Sequence, residues 1–69
     1  MENKLERATR RVAESRKVIA DQEALIERLK AKGLPTQGAE VALDMFKRSL
    51  ASFEDHLKAL TSKRTGGQL

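Results

Sequence analysis

Along the second half of the chain, apolar residues recur at intervals that alternate between four and three residues. The series starts at Ala39 and reaches Leu60 without a miss. This spacing is the a/d pattern of coiled coils, in which one helix packs its apolar side chains between those of another. The large members of the series are Leu43, Phe46, Leu50, Phe53, Leu57 and Leu60. They predict a helix over about residues 37–63 whose seam contacts a second helix.

The first half of the chain has the same spacing, but most of its d positions hold small or polar residues. The a positions, seven residues apart, are Leu5, Val12, Ile19 and Ile26, and the d positions are Ala8, Ser15, Gln22 and Leu29. Leu29 is therefore the only large apolar residue on the d side. No Gly or Pro interrupts the pattern, which predicts a helix over about residues 3–32.

Residues 33–36 form the one strong break between these helices. Gly33 can adopt the left-handed conformation that ends many helices, and Pro35 cannot continue one. Thr36 is a suitable N-cap for the second helix. A link this short forces the two helices to lie side by side and antiparallel.

These elements predict an all-α fold, a two-helix antiparallel coiled-coil hairpin over residues 1–64 with a flexible tail over residues 65–69. Acidic residues placed four positions before basic ones support both helices, because such pairs stabilise a helix by a few tenths of a kcal/mol. The pairs are Glu6–Arg10, Asp44–Arg48 and Glu54–Lys58.

The register of the hairpin has two solutions. Folding about the bond after Leu34 places Ser15 near Phe53 and Gln22 near Phe46. A shift of about three positions instead pairs Ile19 with Phe53 and Ile26 with Phe46. Gln22 also has two interpretations. As a polar seam residue it would fix the register or the number of partners, and at the edge of the seam its amide would face water.

The seam alone buries little apolar surface for a chain of this length. Small domains bury a low fraction of their surface and usually need an additional support. A second stripe of mostly small residues flanks the seam on both helices. It consists of Val18, Leu25, Ala42, Met45, Ser49 and Ser52, and the predicted dimer interface comprises Val18, Gln22, Leu25, Ala42, Met45 and Ser49. We expect this stripe to join two hairpins in a homodimer, a four-helix bundle. The alternative is that its apolar members are ordinary exposed residues, which are common on protein surfaces.

The composition excludes most chemistry. The chain has no Cys, Trp or Tyr and one His, so neither a disulfide nor a zinc site is expected. No nucleophile motif or phosphate-binding loop is present. We expect no enzymatic activity, no metal and no cofactor. No apolar run is long enough to span a membrane, and we do not expect binding to a membrane surface. The absence of Cys and of an export signal favours a location in the cytoplasm.

The net charge of +4 is concentrated at the open end of the hairpin. Residues 1–17 and 54–69 carry nine bases and five acids, whereas the middle of the chain carries five of each. The bases that could contact RNA or DNA are Arg7, Arg10, Arg11, Lys63 and Arg64. Nucleic-acid binding is the alternative function, weakened by interleaved acids and by the lack of exposed aromatic residues for base stacking.

The sequence also resembles small uncharacterised bacterial helical-hairpin proteins. The resemblance is carried by Ile26 and Leu29, by the turn Gly33 to Thr36, and by the pattern from Ala39 to Leu57. It implies the antiparallel hairpin fold and no known activity. The architecture is similar to that of Rop, an RNA-binding hairpin dimer, without a residue-level match to its RNA-contacting face. The sequence therefore predicts a non-enzymatic oligomerisation or protein-interaction module, with Rop-like binding of RNA or DNA as the alternative.

Overall fold

Two antiparallel helices make up the fold. The computed structural model describes residues 2–66, with side chains as far as residue 62. Helix α1 spans Lys4–Ala31 and helix α2 spans Gln37–Gly66. The predicted all-α hairpin is thus confirmed. Helix α2 continues about three residues beyond its predicted end, so residues 65 and 66, assigned to a flexible tail, are helical, and residues 67–69 lie outside the described residues.

Helix α1 begins with a capping box. The Asn3 side chain accepts a hydrogen bond from the Glu6 N–H at 2.7 Å, and the Asn3 N–H donates to Glu6 Oε1 at 3.0 Å. Both bonds satisfy backbone donors that the first turn of a helix leaves unpaired. Glu6 is therefore engaged at the helix end rather than in the predicted pair with Arg10, which contacts Glu2 instead.

The turn after α1 has the predicted left-handed glycine. Gly33 has φ 69°, its N–H donates to the Lys30 carbonyl at 3.0 Å, and the Leu34 N–H donates to the Leu29 carbonyl at 2.9 Å. This pair of bonds is the Schellman motif, which closes a helix by satisfying its last carbonyls. Glycine adopts this conformation without the steric penalty of a Cβ atom.

Thr36 lies at the predicted N-cap position, directly before Gln37, but its side chain does not make the expected capping bond. The Thr36 hydroxyl donates a hydrogen bond to Glu40 Oε2 at 2.7 Å, whereas an N-cap hydroxyl accepts one from a backbone N–H. The Glu40 N–H donates to the Thr36 carbonyl at 2.8 Å. Thr36 and Glu40 therefore join the turn to the first turn of α2 through both backbone and side chain.

Ser15 lies near Phe53, as folding about the bond after Leu34 predicts, whereas the hydrogen bond of Gln22 goes to Ala39, one heptad closer to the turn than Phe46. Ser15 and Phe53 line the same groove, and Arg16 forms an ion pair with Glu54 at 2.9 Å. Gln22 is half-buried, and its Nε2 donates to the Ala39 carbonyl across the hairpin at 2.9 Å. Its amide therefore contacts the other helix, so Gln22 is a seam residue and its amide does not simply face water.

The seam buries few side chains completely. Within the part of the chain whose side chains are described, only Ala8, Val12 and Ile26 are buried, at 4–6% exposure. The other large seam residues are half-buried: Leu5, Ile19, Leu29, Leu43, Phe46, Leu50, Phe53, Leu57 and Leu60. The molecule measures 56 × 23 × 13 Å, and its thickness is close to the diameter of one helix, about 10–12 Å. The hairpin is thus a single layer with two exposed broad faces.

Candidate interaction surfaces

The charges of α2 are confined to one side of the helix. Between residues 37 and 62, with His56 counted as uncharged, they belong to Glu40, Asp44, Lys47, Arg48, Glu54, Asp55 and Lys58. At about 100° per residue, all of these positions fall within an arc of about 120°. The remaining arc of about 240° is more than twice the apolar stripe of about 100° that packing on one neighbour requires. Helix α1 therefore covers only part of the uncharged surface of α2.

One broad face of the hairpin carries a mostly apolar groove of about 340 Å³. It is lined by Arg11, Glu14, Ser15, Val18, Phe46, Ser49 and Phe53. We call this groove, together with the neighbouring Leu25, Ala42 and Met45, the Phe face. Val18 is 43% exposed and Met45 61% exposed, so large apolar side chains border the groove without contacting a core.

Two of the six residues predicted for a dimer interface, Val18 and Ser49, line the groove itself, and Leu25, Ala42 and Met45 lie within one or two helical turns of them. Three of the six, Val18, Met45 and Ser49, are exposed, whereas Gln22, Leu25 and Ala42 are half-buried. The dimer itself stays a prediction. The sequence reasoning missed Arg11 and Glu14 as the polar rim of the groove, because that assignment depends on the register.

Two further exposed apolar residues were not predicted. Val41 is 61% exposed and Leu34 is 48% exposed. Val41 precedes Met45 by one helical turn, so its spacing could have revealed it. Both residues lie toward the turn end of the hairpin, which extends the apolar surface in that direction.

Arg11 connects the Phe face with a second groove. Its guanidinium carbon lies 6.0 Å from the centre of the Phe53 ring, a cation–π contact of about 0.5–1 kcal/mol at an exposed site. The second groove, which we call the basic groove, has a volume of about 310 Å³ at the open end of the hairpin. It is lined by Lys4, Arg7, Ala8, Arg11, His56 and Leu60.

The basic groove contains part of the predicted nucleic-acid contact set. Arg7 and Arg11 line it, whereas Arg10 pairs with Glu2 at 2.8 Å and is not among its lining residues. The side chains of Lys63 and Arg64 lie outside the described part of the chain. Lys4 and His56 were missed, because only the folded register brings α2 beside the first turns of α1.

The opposite face of the hairpin carries a groove that is also mostly apolar but is crossed by an ion pair. This groove of about 540 Å³ is lined by Leu5, Thr9, Val12, Arg16, Glu54, Leu57, Lys58 and Thr61. The Arg16–Glu54 ion pair spans it from α1 to α2. The predicted pair of Glu54 with Lys58 is thus replaced by a pair across the hairpin, whereas the Asp44–Arg48 pair forms as predicted at 3.0 Å. The exposed Arg16–Glu54 pair is the charged contact that distinguishes this face from the Phe face among the described side chains.

Residues 2–66 contain no cluster of three or more His, Asp or Glu side chains arranged to hold a metal ion. Neither helix, over its described residues, has an apolar segment long enough to cross a membrane. Comparisons with protein-family models, curated proteins and solved structures find no significant match. The resemblance to bacterial helical-hairpin proteins therefore stays a prediction, and function has to be inferred from the two surfaces.

Proposed function

We propose that the protein is a non-enzymatic self-association module in which the Phe faces of two hairpins pack together as a four-helix bundle. The observation that carries this proposal is the uncharged arc of α2, which is about twice as wide as one neighbouring helix needs. In a chain with 35% charged residues, a helix face in contact with water would be expected to carry charges. The uncharged arc instead combines the exposed apolar residues Val41 and Met45 with small residues such as Ser49.

The exposed area of the hairpin exceeds that of a compact protein of its mass, which supports packing against a second layer of helices. The chain exposes 5589 Å², whereas a compact monomer of 7.7 kDa exposes about 4,300 Å². A stable interface buries about 800 Å² on each partner. Covering the Phe face would therefore bring the exposed area of each hairpin closer to that of a compact protein, and it would give the fold the second layer that domains normally have.

The side chains of the Phe face suit a helical partner. Ala42 and Ser49 are small enough for another helix to approach closely, while the flexible Met45 can fill irregular gaps. A second copy of the chain supplies the same complementary features, since an interface with two-fold symmetry uses one patch on both subunits.

Charge favours one orientation of the two copies. The basic groove lies on the same side of the hairpin as the Phe face, with Lys4, Arg7 and Arg11 at its rim. Parallel packing would place two basic grooves at the same end, where like charges repel. Antiparallel packing centred on Gln22 and Met45, the middle of the apolar surface, places them at opposite ends and pairs apolar surface with apolar surface.

Sedimentation velocity over a range of micromolar concentrations tests this proposal. We expect the wild-type chain to be dimeric and to show a melting temperature that rises with concentration. Met45→Glu should shift the equilibrium toward the monomer by at least tenfold, since it places a charge in the apolar interface. Lys47→Glu is the matched control, because Lys47 lies at the same height on the opposite face. A wild-type monomer throughout, or equal effects of both variants, would refute the proposal.

A further inference from the structure

We propose that the basic groove binds the phosphate backbone of duplex nucleic acid. The two helices build this site together: α1 contributes Lys4, Arg7 and Arg11, and α2 contributes His56. The three α1 bases are spaced about one helical turn apart, so their charges lie on one stripe of about 10 Å in length. No acidic side chain is among the residues that line the groove.

The acids at the open end do not neutralise this stripe. Glu2 pairs with Arg10, Glu6 caps α1 through Asn3, and Glu54 pairs with Arg16 on the opposite face. These three carboxylates are thus already engaged elsewhere.

The other two acids of the open end are Asp55 and Glu14. Asp55 lies about 100° around α2 from His56 and is exposed. Glu14 lines the neighbouring Phe-face groove rather than the basic groove. The bases of the basic groove therefore have a positive field that extends into solvent, which attracts polyanions.

The other residues of the groove favour a duplex over other polyanions. Ala8 and Leu60 are its only apolar lining residues, so it offers neither an aromatic surface on which unpaired bases could stack nor a deep pocket for an apolar anchor of an acidic peptide. The strongly exposed apolar residues Val41 and Met45 lie toward the turn, so they cannot enter a bilayer together with these bases. A regular array of phosphates is the ligand that charge alone can recognise.

The site is formed within one hairpin and does not rest on dimerisation. If the antiparallel bundle forms, each end of the rod carries one basic groove. A monomeric protein that still binds duplexes through this groove would refute the proposed assembly and leave the present inference intact.

The test is fluorescence anisotropy of the full chain with a labelled RNA duplex and a labelled DNA duplex of unrelated sequences. The groove variant is Lys4→Gln plus Arg7→Gln, and the control is Arg10→Gln plus Lys17→Gln, which removes the same charge outside the groove. We expect wild-type binding that weakens steeply with salt, a loss of about tenfold or more in the groove variant, and a salt slope smaller by about two. The control should change affinity by about twofold at most, because these bases do not line the groove.

Three competitors complete the design: a single-stranded oligonucleotide, polyglutamate, and vesicles containing phosphatidylserine. Circular dichroism of each variant verifies that the helices remain folded. The proposal fails if duplexes do not bind, if both double variants lose affinity equally, or if any competitor binds as tightly as the duplexes.

Discussion

Arg16 and Glu54, which are 38 residues apart in sequence, form an ion pair across the hairpin, with Nη2 and Oε2 2.9 Å apart. The pair lies on the face opposite the Phe face, and its two side chains are 64% and 44% exposed. Together with the hydrogen bond from Gln22 to the Ala39 carbonyl, it marks the register of the two helices. The ion pair thus has more effect on alignment than on stability, since exposed pairs contribute about 0–1 kcal/mol.

Removing the Arg16–Glu54 pair should therefore have a small effect. We expect a double-mutant cycle with Arg16→Gln and Glu54→Gln to give a coupling energy below about 1 kcal/mol in urea unfolding, and a lower value at high salt. A coupling energy above about 2 kcal/mol would show that the pair is less solvated than its exposure indicates.

Two glycines provide a matched comparison of backbone effects. Gly33→Ala should lower the free energy of unfolding by about 1–2 kcal/mol, because alanine disfavours the left-handed conformation at φ 69°. Gly38→Ala should raise it by about 0.5–1 kcal/mol, since Gly38 lies in α2 and an added Cβ atom would meet nothing within 4 Å. Urea unfolding at a fixed protein concentration measures both changes, and effects of equal sign would contradict the assignment.

The capping box predicts a local effect at the start of α1. Asn3→Ala removes the acceptor for the Glu6 N–H, which should destabilise the first turn by about 1 kcal/mol. The Glu6 amide should then exchange with solvent several-fold faster, measured by NMR, because helix ends open locally. Asn3→Asp retains an acceptor and serves as the control. Unchanged exchange in Asn3→Ala would show that the cap does not hold this turn.

Periodicity predicted the helices and their seam because burial of one face imposes a fixed spacing on apolar residues. Gly33 was also predictable, since the left-handed end of a helix strongly favours glycine. The capping box could have been found as well, because Asn3 precedes Glu6 by three residues, which is the known signature.

The ion pairs and the grooves were less predictable. Glu54 could pair with Lys58 on its own helix or with Arg16 on the other, and energies of a few tenths of a kcal/mol do not decide between them. His56 and Lys4 are far apart in sequence, so only the register brings them to one groove. The apolar members of the Phe face could be predicted from spacing, whereas its polar rim and the basic groove required the folded hairpin.

The orientation of the proposed dimer can be tested by disulfide formation, because the chain contains no Cys. In the antiparallel arrangement, Met45 lies close to the two-fold axis and faces Met45 of the second copy. Met45→Cys should therefore form an inter-chain disulfide under mild oxidation, since Cα atoms about 4.4–6.8 Å apart can be bridged. Non-reducing electrophoresis at low micromolar concentration measures the yield. Lys47→Cys, on the opposite face at the same height, should remain monomeric on the gel.

In a parallel bundle, α2 of one copy would instead face α1 of the second copy, so position 45 would lie opposite Leu25. A cross-link would then form only when the Met45→Cys and Leu25→Cys variants are mixed. A cross-link that appears only in that mixture would overturn the antiparallel arrangement while preserving the dimer.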